Sequence, residues 1–199
     1  MGAIVIPLLY YFVVRNQLIA IAILLPIALI CLIIDASRIE NPRLKNKFYS
    51  LFGAHLRDEE TSRLTGASYL LTSSVVAIAI FTKEIAFLSI SFLAIGDTFA
   101  ALIGLQFGKR KIGNSKKTLE GLIGSFISCA IFGIICYFLI FEKVFAGPQG
   151  TTNPEPYTIM ILAGAITAAI TEVSNLHIND NITIPLISGI VMSIIFMII

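Results

Sequence analysis

Long, uninterrupted apolar runs are the feature that most constrains this chain. Seven of them lie near 1–14, 17–34, 66–82, 85–107, 118–141, 157–173 and 184–199, and 57% of the 199 residues are hydrophobic. Lipid offers backbone groups no hydrogen-bond partner, so such segments cross a membrane as helices or as closed barrels. The runs are continuous rather than alternating, which favours helices. We therefore predict an all-α, polytopic transmembrane bundle of about seven helices, forming a single domain over 1–199.

The basic residues fall mainly on one side of this predicted bundle. Six lie in 35–65 and five in 108–117, whereas the opposite side has only Arg15, Lys83 and Lys143. Cytosolic loops are enriched in Lys and Arg. We therefore expect a cell-membrane protein with a cytosolic N-terminus and with 35–65, 108–117 and 174–183 in the cytosol. The net charge of only +2 gives no reason to expect a nucleic-acid partner.

The segment 38–63 has an amphipathic pattern. Apolar residues recur in it at helical spacing beside Lys45 and Lys47, namely Leu44, Phe48, Leu51, Phe52 and Leu56. This pattern predicts a helix in the membrane interface, with its basic residues near lipid headgroups. A charged linker with a few hydrophobic residues is the alternative.

Asp97 is the most informative single residue. It lies within the apolar run from Ile85 to Phe107, where an ionisable group costs about 3 kcal/mol or more unless it is solvated or paired. Such a residue indicates a function, although a protonated carboxyl shared between helices is an alternative. Small residues at four-residue intervals adjoin it, and they allow either another helix or a ligand to approach the backbone closely. These residues are Gly96, Ala100, Gly104 and Gly108.

Further oxygen-bearing side chains occur at the predicted cytosolic helix ends. Glu120 and Glu172 lie beside small residues, and Asn179, Asp180 and Asn181 occupy the last cytosolic loop. Together with Asp97 they could converge on a polar pocket. Carboxylate and amide oxygens suit Mg²⁺, which uses one or two protein carboxylates plus substrate phosphates. An ordinary helix-end charge is the alternative for Glu120 and for Glu172.

The loop 108–118 is the natural phosphate binder. It carries five cations and leads directly into a predicted helix, whose free N–H groups attract anions. The positive-inside rule alone would supply some of these lysines. The loop is not a P-loop, because Asn114 and Ser115 follow Gly113 where Lys and Ser or Thr are required.

The residues 96–126, GDTFAALIGLQFGKRKIGNSKKTLEGLIGSF, resemble the signature of the polyprenol/diacylglycerol kinase family, which includes dolichol kinase, phytol kinase and CTP-dependent diacylglycerol kinase. The matching positions are Gly96-Asp97, Ala100, Gly104, Phe107-Gly108 and 117–121, and 180–185 resembles the family's Asp-Asn-Leu-Thr-Val-Pro. The resemblance implies CTP as phosphoryl donor, a divalent cation and a long-chain alcohol acceptor such as a polyprenol, a phytol-like alcohol or diacylglycerol.

From the residues and this resemblance together we predict a CTP-dependent lipid kinase that acts at the cytosolic membrane face. The expected catalytic residues are Asp97, Lys117, Glu120 and Asp180, with Asp97 and Asp180 as metal ligands. The expected nucleotide- and phosphate-binding residues are Gly104, Gly108, Lys109, Lys111, Lys116, Lys117, Thr118 and Asn181. Further candidates are Glu60, Arg63 and Glu172.

Two other functions fit the same residues. A phosphatidate cytidylyltransferase-like enzyme would use the same nucleotide and metal but would release pyrophosphate. A small proton- or cation-coupled transporter would use Asp97 and Glu172 as a relay within the membrane. The sequence shows no internal repeat of the kind that many transporters have.

Overall fold

The apolar runs form helices in a computed structural model, which describes residues 2–52, 63–113, 117–145, 154–174 and 178–198. Within that part the chain is all-helical, so the predicted fold class is confirmed. A 3₁₀ turn at Gly2–Ile4 precedes eight helices: α1 Val5–Val14, α2 Gln17–Glu40, α3 Pro42–Phe52, α4 Gly66–Ile80, α5 Lys83–Phe107, α6 Leu119–Phe141, α7 Pro154–Val173 and α8 Asp180–Ile198.

Five of these helices are long and apolar enough to cross a membrane, namely α2, α5, α6, α7 and α8. The two shorter apolar helices, α1 and α4, coincide with the first and third predicted spans. The chain is therefore a multi-pass membrane protein. Its predicted total of seven crossings and its orientation stay predictions.

Polar side chains fix the start of three helices. Asn16 accepts hydrogen bonds from the backbone N–H groups of Leu18 (2.9 Å) and Ile19 (3.2 Å) at the start of α2. Thr65 caps α4, and the Thr118 hydroxyl caps α6 by accepting from the Gly121 N–H at 3.2 Å. Side chains of this type satisfy backbone donors that have no partner within the helix.

Helix α5 lies at the centre of the bundle. It packs against α6 and α8 most extensively and also touches α1, α4 and α7. Every residue from Ile85 to Leu93 is buried. Helix α2 is peripheral and packs mainly on α4, so its other faces expose apolar residues such as Leu18 and Ile33.

The hydrogen bonds described below bring six helix ends together at one end of the bundle, here called the site end. Helices α2, α5 and α7 finish there, and α4, α6 and α8 begin there. At the opposite end Gln17 donates to the Ile78 carbonyl at 2.7 Å, and the Lys83 ammonium lies 4.5 Å from the centre of the Tyr11 ring.

A buried ion pair joins α2 to α4 at the site end. Asp35 (2% exposed) accepts hydrogen bonds from Arg38 Nε at 2.7 Å, from the Thr65 N–H and hydroxyl at 2.7 and 2.8 Å, and from the Ser68 hydroxyl at 2.7 Å. Arg38 (1% exposed) donates in turn to the Arg63 carbonyl at 2.8 Å. The carboxylate therefore fixes the first turn of α4 against α2.

The amphipathic segment contains α3, which follows α2 after a single residue. The Arg38 guanidinium lies over the Phe48 ring, 4.9 Å from its centre, and so connects α3 to the ion pair. The remainder of this segment, 53–62, lies outside the described residues. The placement of α3 in the membrane interface stays a prediction.

Candidate active site

Helices α5, α6 and α7 surround a cavity of about 300 Å³ at the site end, here called the polar cavity. Its lining includes five of the residues singled out in the sequence: Asp97, Gly104, Lys117, Thr118 and Glu172. They come from three separate segments of the chain. Of the oxygen-bearing side chains expected to converge on a polar pocket, Asp97 and Glu172 line this cavity, whereas Glu120, Asn179, Asp180 and Asn181 are not among its lining residues.

Asp97 reaches this cavity from well inside α5. It lies ten residues before Phe107, which corresponds to ~15 Å along the helix axis. Its side chain is nevertheless exposed, because the polar cavity extends to that depth. The carboxylate is therefore accessible to a polar ligand in this cavity.

Glu172 lies next to the same turn of α5. It is 6% exposed, and the buried Ser125 hydroxyl donates to its Oε2 at 2.9 Å. A Cβ at Gly96 would lie 2.8 Å from the Ser125 hydroxyl and 3.9 Å from this Oε2. Glycine at this position therefore leaves the room in which Glu172 and Ser125 meet beside Asp97.

Lys117 connects the loop before α6 to the ends of α7 and α8. Its ammonium donates to the Asp180 Oδ2 at 2.7 Å and to the backbone carbonyl of Glu172. The Lys117 and Asp180 side chains are 34% and 40% exposed, so the pair stays open to an incoming anion. Asp180 thereby has a second candidate role, as the counter-ion of Lys117 besides the predicted metal ligand.

The loop between α5 and α6 folds back on itself. The Ile112 N–H donates to the Lys117 carbonyl at 2.9 Å, and the Leu119 N–H donates to the Arg110 carbonyl at 2.8 Å. Gly113 turns the chain with φ at +58°, in the region that favours glycine. Lys109, Arg110 and Lys111 are exposed along it, whereas the predicted Lys116 lies outside the described residues.

Glu120 serves this loop rather than the polar cavity. Its carboxylate accepts a hydrogen bond from the Arg110 N–H at 3.2 Å, and it is absent from the residues that line the polar cavity. Among the described residues it therefore does not line the cavity together with Asp97 and Lys117. Its predicted catalytic role stays a prediction.

The small residues of α5 allow a helix to approach. A Cβ at Gly121 of α6 would lie 2.8 Å from the Ala100 carbonyl oxygen and 3.5 Å from the Gly104 Cα. The backbones of α5 and α6 therefore touch along this line, here called the glycine seam. Ala100 and Gly104 also line the polar cavity, so they serve both uses considered for the stripe, helix packing and access for a ligand.

Other predicted site residues have structural contacts. Asn181 donates to the Gly66 carbonyl at 3.0 Å, and its own carbonyl accepts from Ser73 at 2.6 Å, so it joins α8 to α4. The Arg63 carbonyl accepts from Arg38, as described above. Gly108 lies against Thr118, and Glu60 lies outside the described residues.

The carboxylates fit a cation that is shared with a substrate better than a complete protein cage. No group of three or more His, Cys, Asp or Glu side chains is placed for a metal ion among the described residues. Asp97 and Glu172 do line one cavity. Mg²⁺ is commonly held by one or two carboxylates and completes its shell with phosphate oxygens and water, so this pair suits a nucleotide-bound ion.

The comparison with known proteins identifies the family. An uncharacterized protein of Rickettsia prowazekii is 31% identical over 189 residues, which cover 93% of this chain and 85% of that protein. The CTP-dependent diacylglycerol kinase 1 of Schizosaccharomyces pombe is 26% identical over 160 residues, 78% of this chain and 71% of the yeast protein. This chain belongs to the polyprenol/diacylglycerol kinase family.

A plant relative of this protein is named after a different lipid acceptor. The probable phytol kinase 2 of Glycine max is 26% identical over 161 residues, and the match spans 78% of this chain but only 54% of the plant protein. No protein-family profile and no solved structure matches this chain. Its membership places it among lipid kinases, which transfer a phosphoryl group to a lipid hydroxyl.

Sequence reasoning missed Asp35 and Arg38. Both lie at the end of an apolar run, where charged residues are common. Their three-residue spacing is typical of a helix-surface pair. Their burial depends on Thr65 and Ser68, which are about 30 residues away in the chain. Local patterns carry no signal of that contact.

Proposed function

We propose that this protein is a CTP-dependent kinase that phosphorylates a long-chain alcohol at the cytosolic face of the cell membrane. The observation that carries the proposal is that Asp97 and Lys117 line one cavity although 20 residues separate them in the chain. A carboxylate opposite an ammonium group is the arrangement that phosphoryl transfer uses for a cation and a triphosphate. The related diacylglycerol kinases, which are named CTP-dependent, support CTP as the donor.

In the proposed reaction the alcohol oxygen attacks the γ-phosphorus of CTP. The bond between this phosphorus and the β,γ-bridging oxygen breaks, which gives CDP and the lipid phosphate, and the hydroxyl proton passes to a carboxylate. Asp97 and Asp180 are our candidates for that carboxylate and for the metal ligand, with Glu172 as a further metal ligand. These carboxylates would hold a divalent cation such as Mg²⁺ together with the triphosphate, and the cation would supply positive charge to the phosphate oxygens.

Lys117 and the start of α6 hold the triphosphate in this proposal. The Lys117 ammonium provides a point charge that binds phosphate, and Asp180 keeps it beside the polar cavity until the nucleotide arrives. Lys109 and Lys111 are exposed on the same loop and attract the anion electrostatically. In this proposal the triphosphate lies between the loop and Asp97, because Lys117 and Asp97 line the same cavity.

The decisive experiment uses the purified protein in liposomes with labelled CTP or ATP and a panel of lipid alcohols. We expect the wild-type protein to release CDP and to form a lipid phosphate, and we expect Asp97→Asn to lower the rate by ~100-fold or more. Glu155→Gln, at the exposed start of α7, is the matched control and should keep the wild-type rate.

Two outcomes would contradict the proposal. Release of pyrophosphate instead of CDP would indicate nucleotidyl transfer. A folded Asp97→Asn variant with the full rate would show that the polar cavity is not the catalytic site. A donor preference for ATP over CTP would correct the nucleotide and leave the kinase assignment in place.

A further inference from the structure

The start of α8 is held against α4 by two hydrogen bonds of one residue. The Asn181 side-chain amide donates to the Gly66 carbonyl in the first turn of α4 at 3.0 Å. The Asn181 carbonyl accepts from the buried Ser73 hydroxyl at 2.6 Å. One bond involves the side chain and the other the main chain, so the first turn of α8 is fixed to α4 at two points.

The first turn of α4 is itself fixed against α2. Gly66 follows Thr65 and precedes Ser68 by two residues. The Thr65 N–H and the hydroxyls of Thr65 and Ser68 donate to the Asp35 carboxylate at 2.7 to 2.8 Å. Asp35 is buried, and hydrogen bonds shielded from water are electrostatically stronger than those in solvent. The Gly66 carbonyl therefore meets α8 from a fixed position.

Asp180, the residue before Asn181, connects this contact to the polar cavity. The Cα atoms of the two residues are ~3.8 Å apart, and the Asp180 Oδ2 accepts from the Lys117 Nζ at 2.7 Å. Lys117 lines the polar cavity, whereas Asp180 and Asn181 are not among its described lining residues. The ion pair of Asp180 with Lys117 is therefore the link between Asn181 and the cavity.

The contacts of Asn181 differ from the direct phosphate contact that the sequence predicts. Its amide group donates toward α4, and Asn181 is outside the described lining of the cavity. A side chain used in this way sets the position of the residue next to it in the chain. Its effect on a ligand in the cavity is then indirect.

We propose that Asn181 is a positioning residue for the nucleotide, which holds Asp180 where its carboxylate keeps the Lys117 ammonium at the polar cavity. This inference rests on the proposed kinase function, in which Lys117 binds the triphosphate. Without the Asn181 amide the first turn of α8 shifts relative to α4. Asp180 then moves away from the loop, and the triphosphate meets a misplaced cation.

The kinetic test uses Asn181→Leu, because leucine is similar in size to asparagine and has no amide group. We expect the KM for CTP to rise about fivefold, the effect of one ordinary hydrogen bond. The kcat and the KM for the lipid alcohol should stay within about twofold. Ser73→Ala removes the other hydrogen bond of Asn181. It should also raise the KM for CTP, and it provides a second variant in case Asn181→Leu fails to fold.

Asn16→Ala is the matched control for a loss of stability alone. The Asn16 side chain caps α2 at the opposite end of the bundle, so its removal weakens a helix start without touching the site end. We expect both KM values of this variant to equal those of the wild-type protein. A rise of the KM for CTP in Asn16→Ala as large as that in Asn181→Leu would overturn the proposal, because any weakened helix start would then have the same effect.

A double-mutant cycle separates positioning from direct contact. Two groups that act as one unit give non-additive effects when both are replaced. If Asn181 acts through Lys117, Asn181→Leu should cause no further rise of the KM for CTP in the Lys117→Met background. A direct contact between Asn181 and the nucleotide would instead give additive effects on the KM, and that outcome would overturn the proposal.

Lysine labelling tests the geometry without nucleotide and without lipid alcohol. The Lys117 amine is held by the Asp180 carboxylate and the Glu172 carbonyl, whereas Lys109 is exposed on the same loop. Limited acetylation with acetic anhydride should therefore modify Lys117 more slowly than Lys109 in the wild-type protein. In Asn181→Leu the rate for Lys117 relative to Lys109 should rise about threefold or more as the pair opens. An unchanged ratio would overturn the proposal.

The outcomes separate this inference from the proposed function. If the wild-type protein forms no lipid phosphate, the kinase proposal fails, and the labelling ratio still decides whether Asn181 holds the ion pair. If the wild-type protein is an active kinase and Asn181→Leu keeps the wild-type KM for CTP, the positioning proposal fails and the kinase proposal stands.

Discussion

Replacement of Lys117 by methionine should separate function from stability. The ammonium bonds to the Asp180 carboxylate and to the Glu172 carbonyl, but the two charged side chains are 34% and 40% exposed. An ion pair this open to solvent contributes about 1 kcal/mol at most. Methionine retains most of the apolar length of lysine, so we expect the free energy of unfolding to change by less than ~1 kcal/mol.

The expected effect on nucleotide binding is larger. A hydrogen bond to a charged group contributes about 1.5–3 kcal/mol, and at about 1.4 kcal/mol per factor of ten its loss raises the KM for CTP by roughly 10- to 150-fold. Lys117→Arg keeps the positive charge and should recover part of this loss. The KM for the lipid alcohol should stay within about twofold, because the proposed ligand of Lys117 is the triphosphate and not the alcohol.

Initial rates over a series of CTP concentrations measure the KM for CTP, and thermal unfolding in detergent measures the change in stability. The reasoning would be refuted by a Lys117→Met variant that unfolds at a much lower temperature and keeps the wild-type KM for CTP. Lys117 would then be a structural link between the loop and α7, with no part in phosphate binding.

Three further predictions concern the site end. Asp35→Ala leaves the buried Arg38 guanidinium without its carboxylate, so equilibrium unfolding should show a loss of stability of about 3–5 kcal/mol. Glu40→Ala, at an exposed position on the same helix, is the control and should change stability by less than ~0.5 kcal/mol. Equal effects of the two substitutions would contradict the role of the buried pair. Gly121→Ala places a Cβ 2.8 Å from the Ala100 carbonyl oxygen, so it should lower the free energy of unfolding by about 1–3 kcal/mol and lower the kinase rate. Unchanged stability and rate would show that α5 and α6 are not in direct backbone contact. Glu172→Gln keeps an oxygen that accepts from the Ser125 hydroxyl, so the protein should stay folded. The variant should need a higher Mg²⁺ concentration for its half-maximal rate, because it lacks the carboxylate charge. An unchanged Mg²⁺ dependence would remove Glu172 from the candidate metal ligands.

The helices were predictable because their signal is local. A continuous apolar run of sufficient length has few alternatives in lipid, and all the long helices of the structure coincide with predicted spans. The boundary of α2 was less accurate: the predicted span ends at 34, but the helix continues to Glu40. Its last turns carry Asp35 and Arg38, whose charges are satisfied by partners outside the helix.

Some residues of the site could be predicted from the sequence, but their contacts with one another could not. Asp97 was identifiable because an ionisable group is costly inside an apolar run. No local pattern indicates that Lys117 pairs with Asp180, because 63 residues separate the two. The apolar groove between α5 and α6, lined by residues such as Ile103 and Ile127, was also hidden, since isoleucines at four-residue spacing occur equally on a flat lipid-facing surface. Only the packing of α5 on α6 makes their surface concave.

The direct backbone contact between α5 and α6 has a mechanical consequence. Side chains can change rotamer to accommodate a neighbour, but two main chains in contact through glycine have no such freedom. A tilt of one helix must therefore displace the other, and it would reshape the water-accessible side and the lipid-accessible side at the same moment. Nucleotide binding in the polar cavity would therefore change the lipid-facing surface between the same two helices.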